Sequence, residues 1–163
     1  MKEGLVIIDL QKGFVSDNTE RVVCKISNLI DKSNFSCVMA TQFKNVNGSS
    51  YERFLNWRKL KDESSQEIVP EIRQYVDRIF VKHGYSCFTD EFEQFVKKEK
   101  FDRLYFVGID TDCCVLKSAL DCFERGIDFR VLYNYCASNG GRNSEEAAKI
   151  IMMRSIGKNQ LIV

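Results

Sequence analysis

The sequence contains little of several residues on which common protein sites depend. It has one histidine, His83, and its seven cysteines include no pair with C-x-x-C spacing. Because structural zinc sites are built from histidines and closely paired cysteines, a site of that kind is excluded. A nucleotide cofactor is not expected either, since neither a G-x-G-x-x-G nor a P-loop motif is present. A histidine-based triad would have to use His83, which we interpret as a solvated or locally bonded residue.

An excess of charge of one sign and long apolar segments are also missing. Lys and Arg number 24 against 23 Asp and Glu, so nothing in the composition favours nucleic acid as a partner. No apolar run approaches the roughly 20 residues that a membrane span needs. Residues 1–3 lead straight into a predicted strand, without the features of a signal peptide. We therefore expect a cytoplasmic protein with free thiols and no membrane partner.

What the sequence does contain is an alternation of strands and helices. Continuous apolar runs are typical of parallel strands buried on both faces, and helical spacing of apolar residues predicts helices between them. This pattern predicts one domain over residues 1–163, with three α/β/α layers around a mostly parallel, roughly six-stranded Rossmann-like sheet. The strands are predicted at 4–10, 35–41, 78–82, 104–107, 127–133 and 160–163, and the main helices at 18–32, 71–76, 89–100, 113–126 and 144–156.

The stretch from Gln42 to Pro70 has no clear period. Long insertions in compact domains tend to be functional, so we expect the part at about residues 43–60 to cover a pocket. Trp57 is a candidate substrate contact only because of its place in this insertion. The alternative is that Phe54 and Trp57, three residues apart, form the core face of a short helix.

Reactive side chains follow three of the predicted strands. Asp9 lies at the end of the first, Lys82 at the end of the third, and Cys113 and Cys114 after the fourth. Because the carboxyl ends of parallel strands share one edge of the sheet, these groups can converge. Each has a structural alternative, since an aspartate can cap a strand exit and a cysteine often only packs.

The two cysteines are predicted to lie in the first turn of a helix that Thr111 or Asp112 caps. Unpaired N–H groups and the helix dipole at such a position stabilise a thiolate and an oxyanion. We therefore expect one of the cysteines to have a lowered pKa and to react first with alkylating agents. Cysteine, carboxylate and lysine together would form a nucleophile, a proton carrier and a group that keeps the carboxylate ionised.

Three motifs make the pattern specific. D-x-Q-x-x-F occurs at 9–14, K-x-x-x-S-x-F at 82–88 and G-x-x-T-D-x-C-V at 108–115. Together they resemble the isochorismatase-like cysteine hydrolases, the superfamily that holds nicotinamidases, N-carbamoylsarcosine amidase and ureidoacrylate amidase. The resemblance covers nearly the whole chain, and Ser118-Ala119 stands where the family usually has Thr-Ala.

The resemblance implies a role for each matching residue. Cys114 falls on the nucleophile and Cys113 on a variable position, Asp9 on the general base and acid, and Lys82 on its partner. Phe14 matches an aromatic residue that lines the family's substrate pocket.

The resemblance also implies a non-proline cis peptide bond between Ile109 and Asp110. This bond would direct the backbone N–H of Asp110, together with that of Cys114, at the oxyanion. Members of this family are commonly oligomers, so a homo-oligomer is expected.

Two departures from the family pattern bear on the substrate. Metal-dependent nicotinamidases have an Asp-x-His and a further His after the second strand, where this sequence has residues 42–45 and no His. We therefore expect no metal, and nicotinamide becomes an unfavoured substrate. Asp110 stands where family members often have a small residue; it would repel acidic substrates if it faces the pocket, and otherwise it is a solvated turn residue.

The leading hypothesis is a metal-free, amidase-type cysteine hydrolase that cleaves a C–N bond of a small amide or carbamoyl compound through a thioester. The alternative is a non-catalytic protein of the same fold that binds a small molecule. A redox role for the adjacent Cys113 and Cys114 is the third and weakest hypothesis, because neighbouring cysteines form a disulfide only with a distorted peptide unit.

Overall fold

The structure is a computed structural model that describes residues 1–163. The strands are β1 Glu3–Ile8, β2 Cys37–Phe43, β3 Arg78–Lys82, β4 Arg103–Ile109, β5 Phe129–Ala137 and β6 Leu161–Ile162. The α-helices are α1 Arg21–Lys32, α2 Ser50–Leu55, α3 Glu63–Gln66, α4 Pro70–Arg73, α5 Asp90–Glu99, α6 Leu116–Glu124 and α7 Arg142–Met152. Two π turns, Thr111–Val115 and Met153–Gly157, and two 3-10 turns, Lys12–Phe14 and Lys158–Gln160, complete the chain.

The six strands form one sheet in the order β3-β2-β1-β4-β5-β6, and every neighbouring pair is parallel. The predicted α/β fold class is therefore confirmed. From β1 the chain first winds outward through β2 to β3, and then returns to place β4 on the other side of β1. The direction of winding reverses between β1 and β4, and ligands of open α/β sheets bind at the carboxyl ends beside such a reversal.

Each face of the sheet carries its own apolar core, which makes three layers. Along β1, Val6 and Ile8 point into one core and Leu5 and Ile7 into the other, as the alternation of a strand requires. Buried residues of α5 and α6 fill the first core, and those of α1 and α4 fill the second. All four β1 residues are fully buried, and this agrees with a central strand of a parallel sheet.

Several predicted boundaries move when the tertiary structure is known. The region 42–70 contains the short helices α2 and α3. The fifth strand continues past Tyr133 to Ala137, because its pairing with β4 shifts from Phe106–Val131 to Gly108–Cys136 across a bulge. The bulge takes residues 132–135 out of the regular alternation on which the sequence prediction depended.

None of the helices combines the length and the apolar character needed to cross a membrane. All seven cysteines are free thiols.

Candidate active site

A cavity of about 290 Å³ opens at the carboxyl edge of the sheet, beside the β1–β4 reversal. Most of its lining is aromatic or apolar, with a few polar groups among them. This combination is typical of small-molecule sites. The lining residues are Gly13, Phe14, Phe43, Tyr51, Leu55, Trp57, Lys59, Tyr85, Asp110, Cys113, Cys114 and Asn139.

A buried ion pair lies beneath the cavity. Asp9 directly follows β1 and Lys82 ends β3, and Nζ of Lys82 lies 2.7 Å from Oδ2 of Asp9, with both side chains almost wholly buried. Nζ also donates to the carbonyls of Gly84 at 2.8 Å and Tyr85 at 3.0 Å. Burial by itself lowers the pKa of Lys82, but the charges and hydrogen bonds of Asp9 and Cys114 together outweigh burial and the pKa is raised. The ammonium group is therefore kept charged.

The carboxylate of Asp9 is held by β2. The Thr41 hydroxyl donates to Oδ1 at 2.6 Å and accepts from the Asp9 N–H at 3.0 Å. Asp9 has a positive φ of 47°, a conformation that aspartate tolerates better than most residues. Oδ2 accepts no hydrogen bond of good geometry beyond its ion pair, so it has a lone pair free to take a proton. The sequence analysis missed Thr41, although it is a polar residue near the carboxyl end of a buried strand.

The structure brings Cys114 to the same point. Its Sγ lies 3.5 Å from Nζ of Lys82. Burial, followed by the charge of Asp9, raises the pKa of the Cys114 thiol well above its ordinary value, although Lys82 acts in the opposite direction. The prediction of a lowered thiol pKa is therefore wrong, because the dry site and the carboxylate disfavour the thiolate more than the lysine stabilises it.

The segment that carries both cysteines is a π turn rather than the first turn of an α-helix. The N–H groups of Cys113 and Val115 both donate to the Asp110 carbonyl, at 3.2 and 3.1 Å. The hydrogen bond from Val115 spans five residues, as in a π-helix. The N–H of Cys114 makes no hydrogen bond to the Asp110 carbonyl. π turns inside helices are frequent at functional sites. The peptide bond between Ile109 and Asp110 is cis.

The predicted N-caps do not form at this turn. The hydroxyl of Thr111 is buried without a hydrogen-bond partner. Oδ1 of Asp112 accepts a hydrogen bond at 2.5 Å from Ser138, in the loop after β5. A side chain engaged by another loop is not available to cap its own helix, so the tertiary contact decides the conformation here.

The walls of the cavity are a continuous set of aromatic rings. Phe14 and Trp57 are stacked, with centroids 5.8 Å apart and an interplanar angle of 13°. Tyr51 meets Phe43 edge-on at 5.0 Å and Tyr85 at 5.2 Å. The insertion thus supplies much of the cavity wall. The alternative interpretation of Phe54 as a core residue is wrong, because its side chain is 75% exposed.

Asp110 lines the cavity and is fixed by the loop after β5. Its Oδ1 accepts from the backbone N–H of Asn139 at 2.9 Å and from the Asn139 side chain at 2.8 Å, so it is not a freely solvated turn residue. Burial, and then the nearby Asp112 and Asp9, raise the pKa of Asp110. Asn139 was missed by the sequence analysis, since the fifth strand was predicted to end six residues before it.

His83 plays no part in this cluster. Its ring is exposed and its Nδ1 lies 2.8 Å from the Lys44 carbonyl, which confirms the interpretation as a locally bonded residue. The structure contains no group of three or more His, Cys, Asp or Glu side chains close enough to hold a metal ion.

Comparison with protein-family models and with known proteins points to one family. The family model of the isochorismatase domain matches residues 3–159. Isochorismatase family protein 1B of Dictyostelium discoideum is 26% identical over 166 residues, which cover 94% of this chain and 71% of that protein.

Two solved structures have the same fold. One is an isochorismatase-like hydrolase from Alkaliphilus metalliredigens, with a TM-score of 0.86 and 16% identity over 100% of this chain and 95% of the other. The second is N-carbamoylsarcosine amidase from Thermoplasma acidophilum, with a TM-score of 0.82 and 21% identity over the same shares, 100% and 95%.

Proposed function

This chain belongs to the isochorismatase family, and we propose that it is an amidase-type cysteine hydrolase that cleaves a C–N bond of a small amide or carbamoyl compound. The observation that carries the proposal is the cluster at the cavity floor, where Lys82 lies 2.7 Å from Asp9 and 3.5 Å from Cys114. A role in binding alone requires no nucleophile beside a buried carboxylate. The amidase of similar fold supports the choice of amides and carbamoyl compounds.

In the first half-reaction, Sγ of Cys114 attacks the carbonyl carbon while its proton moves to the free lone pair of Asp9 Oδ2. The raised pKa of Cys114 means that the thiol is neutral at rest, so the proton transfer accompanies the attack. Asp9 then gives this proton to the nitrogen of the leaving group. The C–N bond breaks, the amine or ammonia departs, and a thioester remains on Cys114.

Water completes the cycle. Asp9, again a carboxylate, takes a proton from water as the oxygen attacks the thioester carbon. The C–S bond breaks, the thiol of Cys114 recovers the proton, and the acid is released. The N–H groups of Asp110 and Cys114 hold the oxyanion in both steps, and such contacts are often worth on the order of 10²-fold in rate. Lys82 holds the Asp9 carboxylate in place through their ion pair, and Phe14 and Trp57 form an aromatic wall of the cavity against which the substrate packs. The scheme uses no metal.

The test is ammonia release across a panel of small amides, ureides and carbamoyl amino acids. We expect Cys114→Ala to lower turnover of an accepted compound by at least roughly 10³-fold, since removal of a nucleophile has effects of this size. Cys113→Ala is the matched control, because it removes a thiol from the same turn and the same cavity; we expect it to retain turnover.

Full turnover in Cys114→Ala would overturn the proposal. The alternative, a binding protein of the same fold, predicts a different result. Compounds of the panel would then change the fluorescence of Trp57, the single tryptophan of the chain, while wild-type protein releases no product from any of them.

A further inference from the structure

We propose that the substrate is a flat, positively charged amide and that the Asp110 carboxylate selects it. This inference rests on the proposed function, because it concerns the part of the cavity next to the reacting carbonyl. It goes beyond that function in naming the charge and shape of the compound. Three features of the cavity point to such a compound: a carboxylate that lacks a cationic partner, the position of that carboxylate, and the aromatic walls.

The Asp110 carboxylate has one oxygen free. Both hydrogen bonds that the protein makes to it, from the N–H and the side chain of Asn139, go to Oδ1. None of the ion pairs in the structure includes Asp110, and the nearby charges that act most strongly on it are the carboxylates of Asp112 and Asp9. A partly buried charge without a counterion is costly, so a cation beside Oδ2 would be favoured.

The Asp110 carboxylate is held in a fixed orientation at the cavity wall. The Asn139 side chain that holds it also donates to the Phe14 carbonyl at 3.0 Å and accepts from the Ser16 hydroxyl at 2.8 Å. Asn139 thus has its two donors and its acceptor occupied, and Asp110 is left as the anionic group that a ligand meets. The N–H of Asp110 is the proposed oxyanion donor, so a cation bound to the Asp110 carboxylate lies close to the reacting carbonyl. The two groups can therefore be substituents or members of the same aromatic ring.

The walls favour the same chemistry. The faces of aromatic rings attract cations, with Trp the strongest, and the cavity contains Trp57 stacked on Phe14 together with Tyr51 and Tyr85. A flat ring can pack against such walls. Lys59 is the one basic residue of the lining, and it is exposed, so solvent and salt screen its charge.

The experiment compares two compounds of the same shape. N-methylpyridinium meta-carboxamide and meta-methylbenzamide differ in that one has N⁺ where the other has carbon. Binding is followed by the fluorescence of Trp57 in the Cys114→Ala variant, which cannot turn either compound over by the proposed route. We expect the cation to bind at least about tenfold more tightly than the neutral compound, the size of one partly desolvated charge contact.

Asp110→Asn should reduce this preference to about twofold or less, since it leaves the aromatic attraction and removes the ion pair. The oxygen of its amide can still accept from Asn139, so the loop keeps its anchor. Asp112→Asn is the matched control, because it removes the same charge from the same turn outside the cavity lining; the preference should persist in it.

Equal binding of the two compounds by the parent variant would overturn the inference, and so would a cation preference that survives Asp110→Asn. The binding comparison does not depend on turnover, so it tests the inference separately from the proposed function. A cation preference without turnover by wild-type protein would leave the inference standing and the proposed hydrolase in doubt, whereas turnover of neutral amides without a cation preference would do the reverse.

Discussion

Two kinds of cysteine chemistry differ in whether the nucleophilic cysteine, here Cys114, keeps its proton before the substrate is attacked. With the pKa of Cys114 raised by burial and by Asp9, the resting site holds a thiol, a carboxylate and an ammonium group. The nucleophile is then formed only during attack, with Asp9 as the base. A preformed thiolate, as in helix-start cysteines of lowered pKa, would instead leave Asp9 without a proton to accept.

The rate of alkylation of Cys114 distinguishes a resting thiol from a preformed thiolate. At pH 7.5 we expect iodoacetamide to modify the exposed Cys24 before Cys114, measured by peptide mass spectrometry over time. Asp9→Asn removes one cause of the raised Cys114 pKa and leaves Lys82, so Cys114 should be labelled faster while turnover is lost. The rate should rise by about threefold for each unit by which the pKa falls, because a thiolate of lower pKa is more abundant but less nucleophilic. Asp17→Asn, a change of the same charge at an exposed position, should alter neither. Labelling of Cys114 ahead of Cys24 in wild-type protein would show a thiolate at rest.

The pairing of β1 with β4 determines how close Asp9, which follows β1, comes to Asp110, which follows β4. Ile8 is paired with Gly108, one residue before Asp9 and two before Asp110. A Cβ on Gly108 would lie 2.2 Å from the Ile8 carbonyl oxygen, and Gly108 has a φ of +118°. The absence of a side chain at this position therefore allows the two strands to bring their carboxyl ends together.

Gly108→Ala should lower the free energy of unfolding by about 3 kcal/mol or more, because both the backbone conformation and the contact with Ile8 are incompatible with a Cβ. Gly126→Ala is the matched control, since Gly126 has a φ of +66° with nothing within 4 Å of its added Cβ. The control should lose only about 1 kcal/mol. Urea unfolding of both variants measures the difference, and equal losses would contradict the role assigned to close strand approach.

At the scale of the whole molecule, burial affects several thiols at once. Burial raises the pKa of Cys87 and of Cys136 to about 12, and raises that of Cys122 as well. A buried thiol keeps its proton in the folded state at a pH where the unfolded chain has lost it. The unfolded state then binds fewer protons, so the free energy of unfolding falls as pH rises above about 8.5.

Because other groups also titrate in this range, a variant isolates one thiol. Cys136→Ala should make the decline between pH 9 and 10.5 shallower by about 1.4 kcal/mol per pH unit. Cys24→Ala, at an exposed position, should leave the slope unchanged. Urea unfolding in the presence of a reducing agent measures these slopes, and an identical slope in Cys136→Ala and wild type would contradict the assignment.

Also at this scale, the expectation of a homo-oligomer stays a prediction. Sedimentation of the purified chain would establish its assembly state directly.

The sequence by itself determined the fold class and the residues to be examined at the sheet edge. Apolar runs and helical spacing are local patterns, and they were sufficient to predict a parallel sheet and to place Asp9, Lys82 and the adjacent Cys113 and Cys114 at the ends of three of its strands. The choice of Cys114 over Cys113 came from the resemblance to the family. The catalytic roles of these residues stay predictions. The prediction that β3 covers 78–82 and the prediction that Thr89 caps α5 are both confirmed, because strand periodicity and capping are properties of neighbouring residues.

Only the tertiary structure decided the ionisation of Cys114, the π turn and the surroundings of Asp110. The pKa of a buried thiol depends on desolvation and on charges from other strands, such as Asp9, which is 105 positions away in the sequence. The capping predicted for Asp112 was lost to Ser138, and Asp110 was fixed by Asn139. These contacts join segments that are distant in sequence, so no local pattern in the chain encodes them.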